Sequence, residues 1–136
     1  MKSSGGPPRA VVAGHGDFAR GLVSAVQQIS GRGDVFETVS NAALSAEALA
    51  DAIGAAAASH DAVVIFTDLP AGSCTLAARR VARDEPRLAV VTGTNLTMLL
   101  DFALKGAASA AELDRTVERG RLAMHALHAT EAGGAA

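Results

Sequence analysis

The sequence contains no tryptophan or tyrosine, and phenylalanine occurs only four times in 136 residues. Proteins that bind single-stranded nucleic acids stack the bases on exposed aromatic rings, so this mode of binding lacks its usual residues. Polysaccharide binding by ring stacking is disfavoured for the same reason. Alanine supplies 31 residues and only 36 carry a larger apolar side chain. We therefore expect a small core on which helices pack closely.

An excess of basic charge is also missing. Lys and Arg number 12, Asp and Glu number 14, and the formal net charge is -2. Binding to a phosphate backbone needs clustered positive charge, so we predict no nucleic-acid partner. The one cysteine, Cys74, cannot form an internal disulfide. Without a second, closely spaced cysteine it predicts neither a zinc site nor a redox motif, which suits a reducing compartment.

Long apolar runs are absent. No segment approaches the roughly 18 apolar residues of a membrane span, and residues 1–8 lack the apolar stretch of a signal peptide. We expect a cytoplasmic protein without direct membrane insertion. The length fits one domain. The composition predicts a disordered N-terminal tail at 1–8, a single domain at 9–130 and a flexible C-terminal tail at 131–136.

Between the tails, strand and helix patterns alternate. Apolar runs typical of strands lie at 9–13, 34–39, 62–66 and 88–91. Helical spacing runs from Phe18 to Gly31, from Ser45 to Ser59 or His60, and from a cap at Ser73 or Thr75 to an end before Pro86. Two more helical segments run from Asn95 to Lys105 and from Ser109 to Thr130, with Gly120 as a weak point of the last one. This order predicts an α/β fold with an open, doubly wound, mainly parallel sheet, strand order 2-1-3-4 and helices on both faces.

Parallel sheets of this kind bind ligands beyond the carboxyl ends of their strands. His15 follows the first strand, lies between two glycines and precedes a helix, whose free amides and positive dipole end favour an anion. A neutral imidazole has one ring nitrogen available as a nucleophile. Asp68 follows the third strand, next to the first in the predicted order, and could orient the ring through the other nitrogen. Alternatively, His15 is an ordinary loop residue and Asp68 a turn or cap residue.

Three segments resemble the signature motifs of one family. GHGDFARGL at 14–22, TDLPAGS at 67–73 and VTGTNLTMLL at 91–100 are similar to segments of the mannose-type IIA components of the bacterial sugar phosphotransferase system, most of all its N-acetylgalactosamine branch. The resemblance spans about residues 9–106. It implies that His15 accepts a phosphoryl group from the phosphocarrier protein HPr and passes it to a IIB component.

The resemblance also implies roles around the histidine. Asp68 would be its carboxylate partner, and Ser73, which could otherwise simply cap a helix, would belong to the phosphate pocket. In-line phosphoryl transfer needs placement and amide donors, with no metal or other cofactor, and the candidate donors are the amides of Gly16, Asp17 and Ser73. Gly72 would let the backbone approach the phosphate.

Two departures from the family pattern bear on docking and assembly. Ala71 replaces a glycine, and Cys74-Thr75 stands where Pro-Phe is common, which removes an apolar docking contact. The family tends to form homodimers, in some members by exchanging a C-terminal strand. Because residues 109–130 have a helical pattern, we expect a homodimer without that exchange.

Other functions remain open at this stage. A receiver-like domain would be phosphorylated on Asp68 but needs an acidic pair where Gly14-His15-Gly16 stands. A regulatory or ligand-binding module would cradle a nucleotide phosphate, yet the glycine fingerprint fails at Ala19. The phosphoryl-carrier subunit of a dihydroxyacetone kinase system also resembles this family.

Several further polar residues allow weaker hypotheses. His125 and His128 could share a metal but are better explained as surface residues of the last helix. Arg79 and Arg83 on one helix face, like Arg20 on another helix, could meet an acidic partner. Cys74 could be reactive at a helix N-terminus, although packing is the commoner role of such a cysteine.

Overall fold

The computed structural model describes residues 6–129, and within them one four-stranded sheet is found, with every neighbouring pair of strands parallel. The strands are β1 (Arg9–Gly14), β2 (Phe36–Ser40), β3 (Ala62–Thr67) and β4 (Ala89–Val91). The helices are α1 (Phe18–Ser30), α2 (Ala46–His60), α3 (Ser73–Asp84), α4 (Leu96–Lys105) and α5 (Ala110–Leu122). The strand order is β2-β1-β3-β4, which confirms the predicted fold class and order.

Helices cover both faces of this sheet, as predicted. Helices α1, α4 and α5 pack on one face, where the rings of Phe36, Phe66 and Phe102 form a cluster with centroid separations of 5.4 to 6.4 Å. Helices α2 and α3 pack on the other face. Their contact surface is built largely from alanine, and small side chains let the two helices approach the sheet and each other closely.

Two predicted elements differ from the structure. The second strand was expected from Asp34, but Gly33–Val35 form a turn of 3-10 helix and β2 begins at Phe36. The last helix was expected to reach Thr130, but α5 ends at Leu122. Leu122, Met124 and Leu127 are largely exposed. A further helical turn would therefore gain no burial, and propensity alone seldom sustains one. The helix that was expected to exclude an exchanged C-terminal strand thus extends only to Leu122.

Residues 1–5 of the predicted N-terminal tail, Thr130 at the end of the predicted domain and the predicted C-terminal tail at 131–136 lie outside the described residues. Among the helices of residues 6–129, none is long and apolar enough to cross a membrane.

Gly120 is a packing position in α5. A Cβ atom built on it would lie 2.5 Å from Cγ of Met98 in α4, and its carbonyl oxygen accepts a hydrogen bond from the side chain of Asn95. The sequence suggested that this glycine weakens the helix. In the structure its missing side chain is what allows α5 to lie against α4.

We expect Gly120→Ala to lower the free energy of unfolding by about 1–3 kcal/mol, because the added methyl group forces Met98 and the two helices apart. Gly21→Ala is the matched control: Gly21 is an exposed glycine of α1 with open space around it. Alanine there should stabilise the protein by up to about 1 kcal/mol through helix propensity. Urea unfolding of both variants measures the two values, and a stabilising Gly120→Ala would contradict the packing role.

Candidate functional site

His15 and Asp68 meet at the carboxyl edge of the sheet. His15 directly follows β1 and Asp68 directly follows β3. The two strands are neighbours, and Ala13 pairs with Thr67 in their parallel register. The register therefore carries both side chains to the same place, although 53 residues separate them along the chain.

One oxygen of Asp68 accepts two hydrogen bonds from His15. The backbone N–H of His15 donates to Oδ2 at 2.9 Å, and Nδ1 of its ring lies 2.7 Å from the same oxygen. The side chain of Asp68 is only 10% exposed, whereas that of His15 is 51% exposed. The largely buried carboxylate thus fixes the imidazole through its Nδ1 atom. No partner for Nε2 is found among residues 6–129, so this nitrogen is available to a reactant.

The charge state of Asp68 follows from these contacts. Burial alone would raise the pKa of Asp68. The hydrogen bonds from the ring and the amide of His15, together with the electrostatic attraction of the ring, have the larger combined effect. The pKa of Asp68 is therefore lowered from its ordinary value of 3.8. At neutral pH the carboxylate is ionised and can only accept hydrogen bonds. We therefore assign the ring proton to Nδ1, which leaves the lone pair of neutral His15 on Nε2.

The two glycines around His15 have different roles. A Cβ on Gly14 would lie 2.5 Å from Cδ2 of Phe18, so Gly14 makes room for that ring. Gly16 has φ +54°, in the left-handed region that favours glycine, with open space on its side-chain face. Of the two glycines, Gly16 therefore leaves space for a reactant beside His15, whereas Gly14 serves packing.

The amides predicted to bind phosphate lie at two helix N-termini. Gly16 and Asp17 precede α1, and Ser73 is the first residue of α3. Within the described chain, the backbone N–H groups of these three residues donate to no protein acceptor. The Asp17 carboxylate pairs with Arg20 on the surface. Unpaired amides at the positive ends of helix dipoles suit an anion.

Gly72 brings the loop after β3 up to the imidazole. It has φ +122°, and a Cβ built on it would lie 3.9 Å from Cε1 of His15. Gly72 also occupies the N-cap position of α3 without a side-chain cap, so the predicted capping by Ser73 or Thr75 is wrong. The reason is that the helix already includes Ser73, and the hydroxyl of Thr75 bonds to the carbonyl oxygen of Leu69 instead.

Asn41 is a site residue that the sequence did not single out as functional. Its side-chain Nδ2 donates to Oγ of Ser73 at 3.3 Å, and its backbone N–H donates to the carbonyl oxygen of Gly14. It thus links the loop after β2 to the other two loops. Its position directly after β2, at the same edge of the sheet, was the available signal.

Three buried threonines hold the end of β3 in place. Thr67 Oγ1 lies 2.7 Å from Thr75 Oγ1, and both the N–H and the hydroxyl of Thr94 donate to the carbonyl oxygen of Thr67. These residues were not predicted as functional. They fix the backbone directly before Asp68. The available signal in the sequence was that Thr67 and Thr94 lie in the motif segments 67–73 and 91–100.

The remaining candidates make no hydrogen bond with His15 or Asp68 among the described residues. His125 and His128 are exposed and lie beyond α5, so they are not three apart on a helix as predicted. Arg79 and Arg83 lie on the exposed side of α3. Burial and the nearby charge of Asp68 raise the pKa of the Cys74 thiol, opposite to the change that a reactive thiolate needs, and its side chain packs in the core.

This arrangement fits a nucleophilic histidine better than a phosphorylated aspartate. Asp68 is bound to a ring and an amide of His15, and the loop after β1 supplies that histidine in place of a second carboxylate. An imidazole oriented by a largely buried carboxylate, with unpaired amides at two adjacent helix N-termini, suits a nucleophile that acts on an anionic group.

Comparison with known proteins agrees with this chemistry. Residues 9–119 match the mannose-type family model described as "PTS system fructose IIA component". A search of curated protein sequences finds no significant match.

Three solved structures show the same fold. The phosphotransferase system component EIIA from Streptococcus agalactiae has a TM-score of 0.78 at 18% identity, covering 87% of this chain and 95% of that one. The mannose/sorbose-specific IIA subunit from Enterococcus faecalis has a TM-score of 0.77 at 20% identity, and the match covers 90% of this chain and 96% of that one. The PTS IIA protein associated with the fucose utilization operon of Streptococcus pneumoniae has a TM-score of 0.72 at 20% identity, and the match covers 88% of this chain and 93% of that one.

The lowered pKa of Asp68 predicts a pH-dependent contribution to stability. Folding favours the ionised carboxylate, so this contribution is complete above the ordinary pKa of 3.8 and is lost as the pH falls through the lower folded-state value. We expect Asp68→Asn to be less stable than the parent by about 1–2 kcal/mol at pH 7, because a neutral amide is a weaker acceptor. The difference should shrink below about pH 4.

Urea unfolding of both proteins at a series of pH values measures this difference. Asp17→Asn is the control, since its exposed ion pair with Arg20 should contribute less than about 1 kcal/mol. A difference for Asp68→Asn that stays constant from pH 7 to pH 3 would contradict the ionised pairing.

Proposed function

Because this chain belongs to the mannose-type IIA family of the phosphotransferase system, we propose that it carries a phosphoryl group on His15. In this proposal phospho-HPr is the donor, a IIB component of a sugar transporter is the acceptor, and transfer takes place in the cytoplasm. The sugar branch proposed from the sequence motifs is that of N-acetylgalactosamine. The observation that carries the assignment is the Asp68–Nδ1 hydrogen bond, which leaves Nε2 of His15 exposed.

The proposed transfer is a direct exchange of one P–N bond for another. The lone pair of Nε2 attacks the phosphorus of phospho-HPr while the bond from phosphorus to the donor imidazole breaks. The electron pair of that bond returns to the donor ring. His15 keeps its proton on Nδ1, and Asp68 stabilises the positive charge that the phosphorylated ring acquires. In the onward transfer, a nucleophile of the acceptor attacks the phosphorus while the bond from phosphorus to Nε2 breaks, and the electron pair of that bond returns to the His15 ring.

Charge stabilisation in the transition state would come from the backbone. The phosphoryl oxygens carry most of the negative charge in a loose transition state. The free amides of Gly16, Asp17 and Ser73 lie at helix N-termini beside the histidine. These donors are oriented before the reaction, so little reorganisation is needed. Asn41 would hold the Ser73 hydroxyl in position.

Exposed leucines near the site support docking of a protein partner. Leu44 follows β2, Leu69 lies in the loop after β3, and Leu76 is in the first turns of α3; their exposed fractions are 41%, 50% and 63%. All three lie in segments that begin at the carboxyl edge of the sheet. Apolar side chains around a half-exposed histidine suit a phosphate source that is itself a protein.

A homodimer is the second part of the proposal. Within the described sheet β4 is an edge strand, paired only with β3. A groove of about 520 Å³ runs beside it and is lined by apolar residues of β4, of α5 and of the segment after α5, including Leu113, Val117 and Met124. An open strand edge next to an apolar groove is a surface that a second copy would cover.

Phosphorylation of His15 is tested with purified protein, phosphoenolpyruvate, enzyme I and HPr. We expect one acid-labile, base-stable phosphate per chain in the parent and none in His15→Ala. Asp68→Asn should accept phosphate about 10²–10⁴-fold more slowly, because the ring loses its fixed tautomer. His128→Ala is the matched control for loss of a histidine and should match the parent.

Two results would overturn this assignment. Label retained in His15→Ala would remove His15 as acceptor, and label found on Asp68 would indicate a receiver. Transfer onward to a dihydroxyacetone kinase in place of a IIB protein would keep the chemistry and change the acceptor.

The dimer is tested by sedimentation velocity at micromolar concentrations. We expect the parent to sediment as a dimer and Met124→Glu to shift it towards monomer, since a charge would enter the covered groove. Ile29→Glu is the control, because Ile29 is similarly exposed but lies on α1. A monomeric parent, or equal effects of both variants, would refute the proposed interface.

A further inference from the structure

Cys74 lies directly behind the His15–Asp68 pair. One ring nitrogen of His15, one carboxylate oxygen of Asp68 and the sulfur of Cys74 are all within 4.8 Å of one another. Nitrogen, oxygen and thiolate sulfur together are a ligand set that zinc and similar cations prefer. The transfer chemistry derived above does not use the cysteine.

We propose that His15, Asp68 and Cys74 form a binding site for a thiophilic divalent cation of the zinc class, with the fourth position open to solvent. Three protein ligands and one open position are typical of zinc sites that are accessible from outside. The exposed half of the His15 ring provides the opening, while Asp68 and Cys74 close the site from the protein side.

The required rearrangement is small. Three atoms no more than 4.8 Å apart always have a point within about 2.8 Å of each, and zinc bonds measure about 2.0–2.3 Å. Each ligand therefore has to move by less than about 1 Å. Because the Cys74 side chain is buried, the cation must enter from the ring side, beside Gly72, which lies next to Cε1 of His15.

Binding changes the proton positions without any redox step. The Cys74 thiol loses its proton to solvent as the sulfur–metal bond forms. If the cation binds Nδ1, the hydrogen bond of 2.7 Å to Asp68 is replaced and the proton of neutral His15 moves to Nε2. If it binds Nε2, the lone pair of that nitrogen is used directly. In both cases Nε2 can no longer attack phosphorus.

The cation should therefore inhibit phosphoryl acceptance by His15. This consequence rests on the proposed function, whereas binding of the cation does not. A cation held at these three side chains takes away the free lone pair that Nε2 needs for phosphoryl acceptance, so the site would make transfer sensitive to the concentration of free zinc-class metal.

The binding experiment uses Co²⁺ as a spectroscopic probe of the full-length protein. We expect one equivalent to give a thiolate-to-cobalt charge-transfer band in the near ultraviolet, which added Zn²⁺ abolishes. Cys74 is the only cysteine of the chain, so this band identifies its sulfur as a ligand. The band should be absent from Cys74→Ala and Cys74→Ser, with zinc affinity lowered at least about 10-fold.

The control for other metal ligands is the double variant His125→Ala/His128→Ala, which removes the exposed histidine pair and should keep both band and affinity. Circular dichroism verifies that the Cys74 variants fold, and the serine variant nearly preserves side-chain volume. A parent protein without the band, or Cys74→Ala with unchanged zinc affinity, would overturn the site.

The inhibition experiment measures phosphoryl acceptance with and without Zn²⁺. We expect zinc to slow the parent at least about 10-fold and to leave Cys74→Ala near its metal-free rate, which should equal that of the parent. Equal inhibition of both proteins would refute the coupling and indicate an effect of zinc on the donor. A parent that gains no phosphate without metal would refute the proposed function, while the cobalt spectrum would still decide the metal site.

Discussion

A single carboxylate oxygen organises the site. Oδ2 of Asp68 accepts from the backbone and from the ring of His15, so one atom fixes the position of the residue, the rotation of its imidazole and the nitrogen that carries the proton. Other parts of the structure position the two residues for this contact. The β1–β3 register brings the two residues together, and Thr67, Thr75 and Thr94 hold the backbone before Asp68. The free amides of Gly16, Asp17 and Ser73 lie at the two helix N-termini next to these loops.

The small core is sufficient to hold His15 and Asp68 in position. A phosphoryl carrier meets its phosphate on another protein and needs no deep cavity or aromatic platform for a ring. What it requires is a rigid edge of sheet and a surface for docking. The alanine-rich contacts of α2 and α3 provide this rigidity with small side chains, because close packing does not require large residues.

The sequence alone predicted the strand order and the pairing of His15 with Asp68, because apolar runs locate strands and neighbouring parallel strands end at one edge. It could not predict contacts that depend on tertiary distances. Asn41 reaches Ser73 only once three loops meet, and Gly120 matters only because Met98 lies against it. The end of α5 was missed for the same reason, since the helical pattern continues where nothing remains to pack against.

The register of β1 and β3 also bears on how partners are distinguished. Because the sheet sets the separation of ring and carboxylate during folding, the imidazole is oriented before any partner arrives. In the proposed function, donor and acceptor would meet the same oriented ring, and discrimination between them would depend on exposed residues of the surrounding loops. Exposed loop residues that contact neither His15 nor Asp68 can then diverge without disturbing the pair, so a new partner requires new surface residues and no change at the reactive centre.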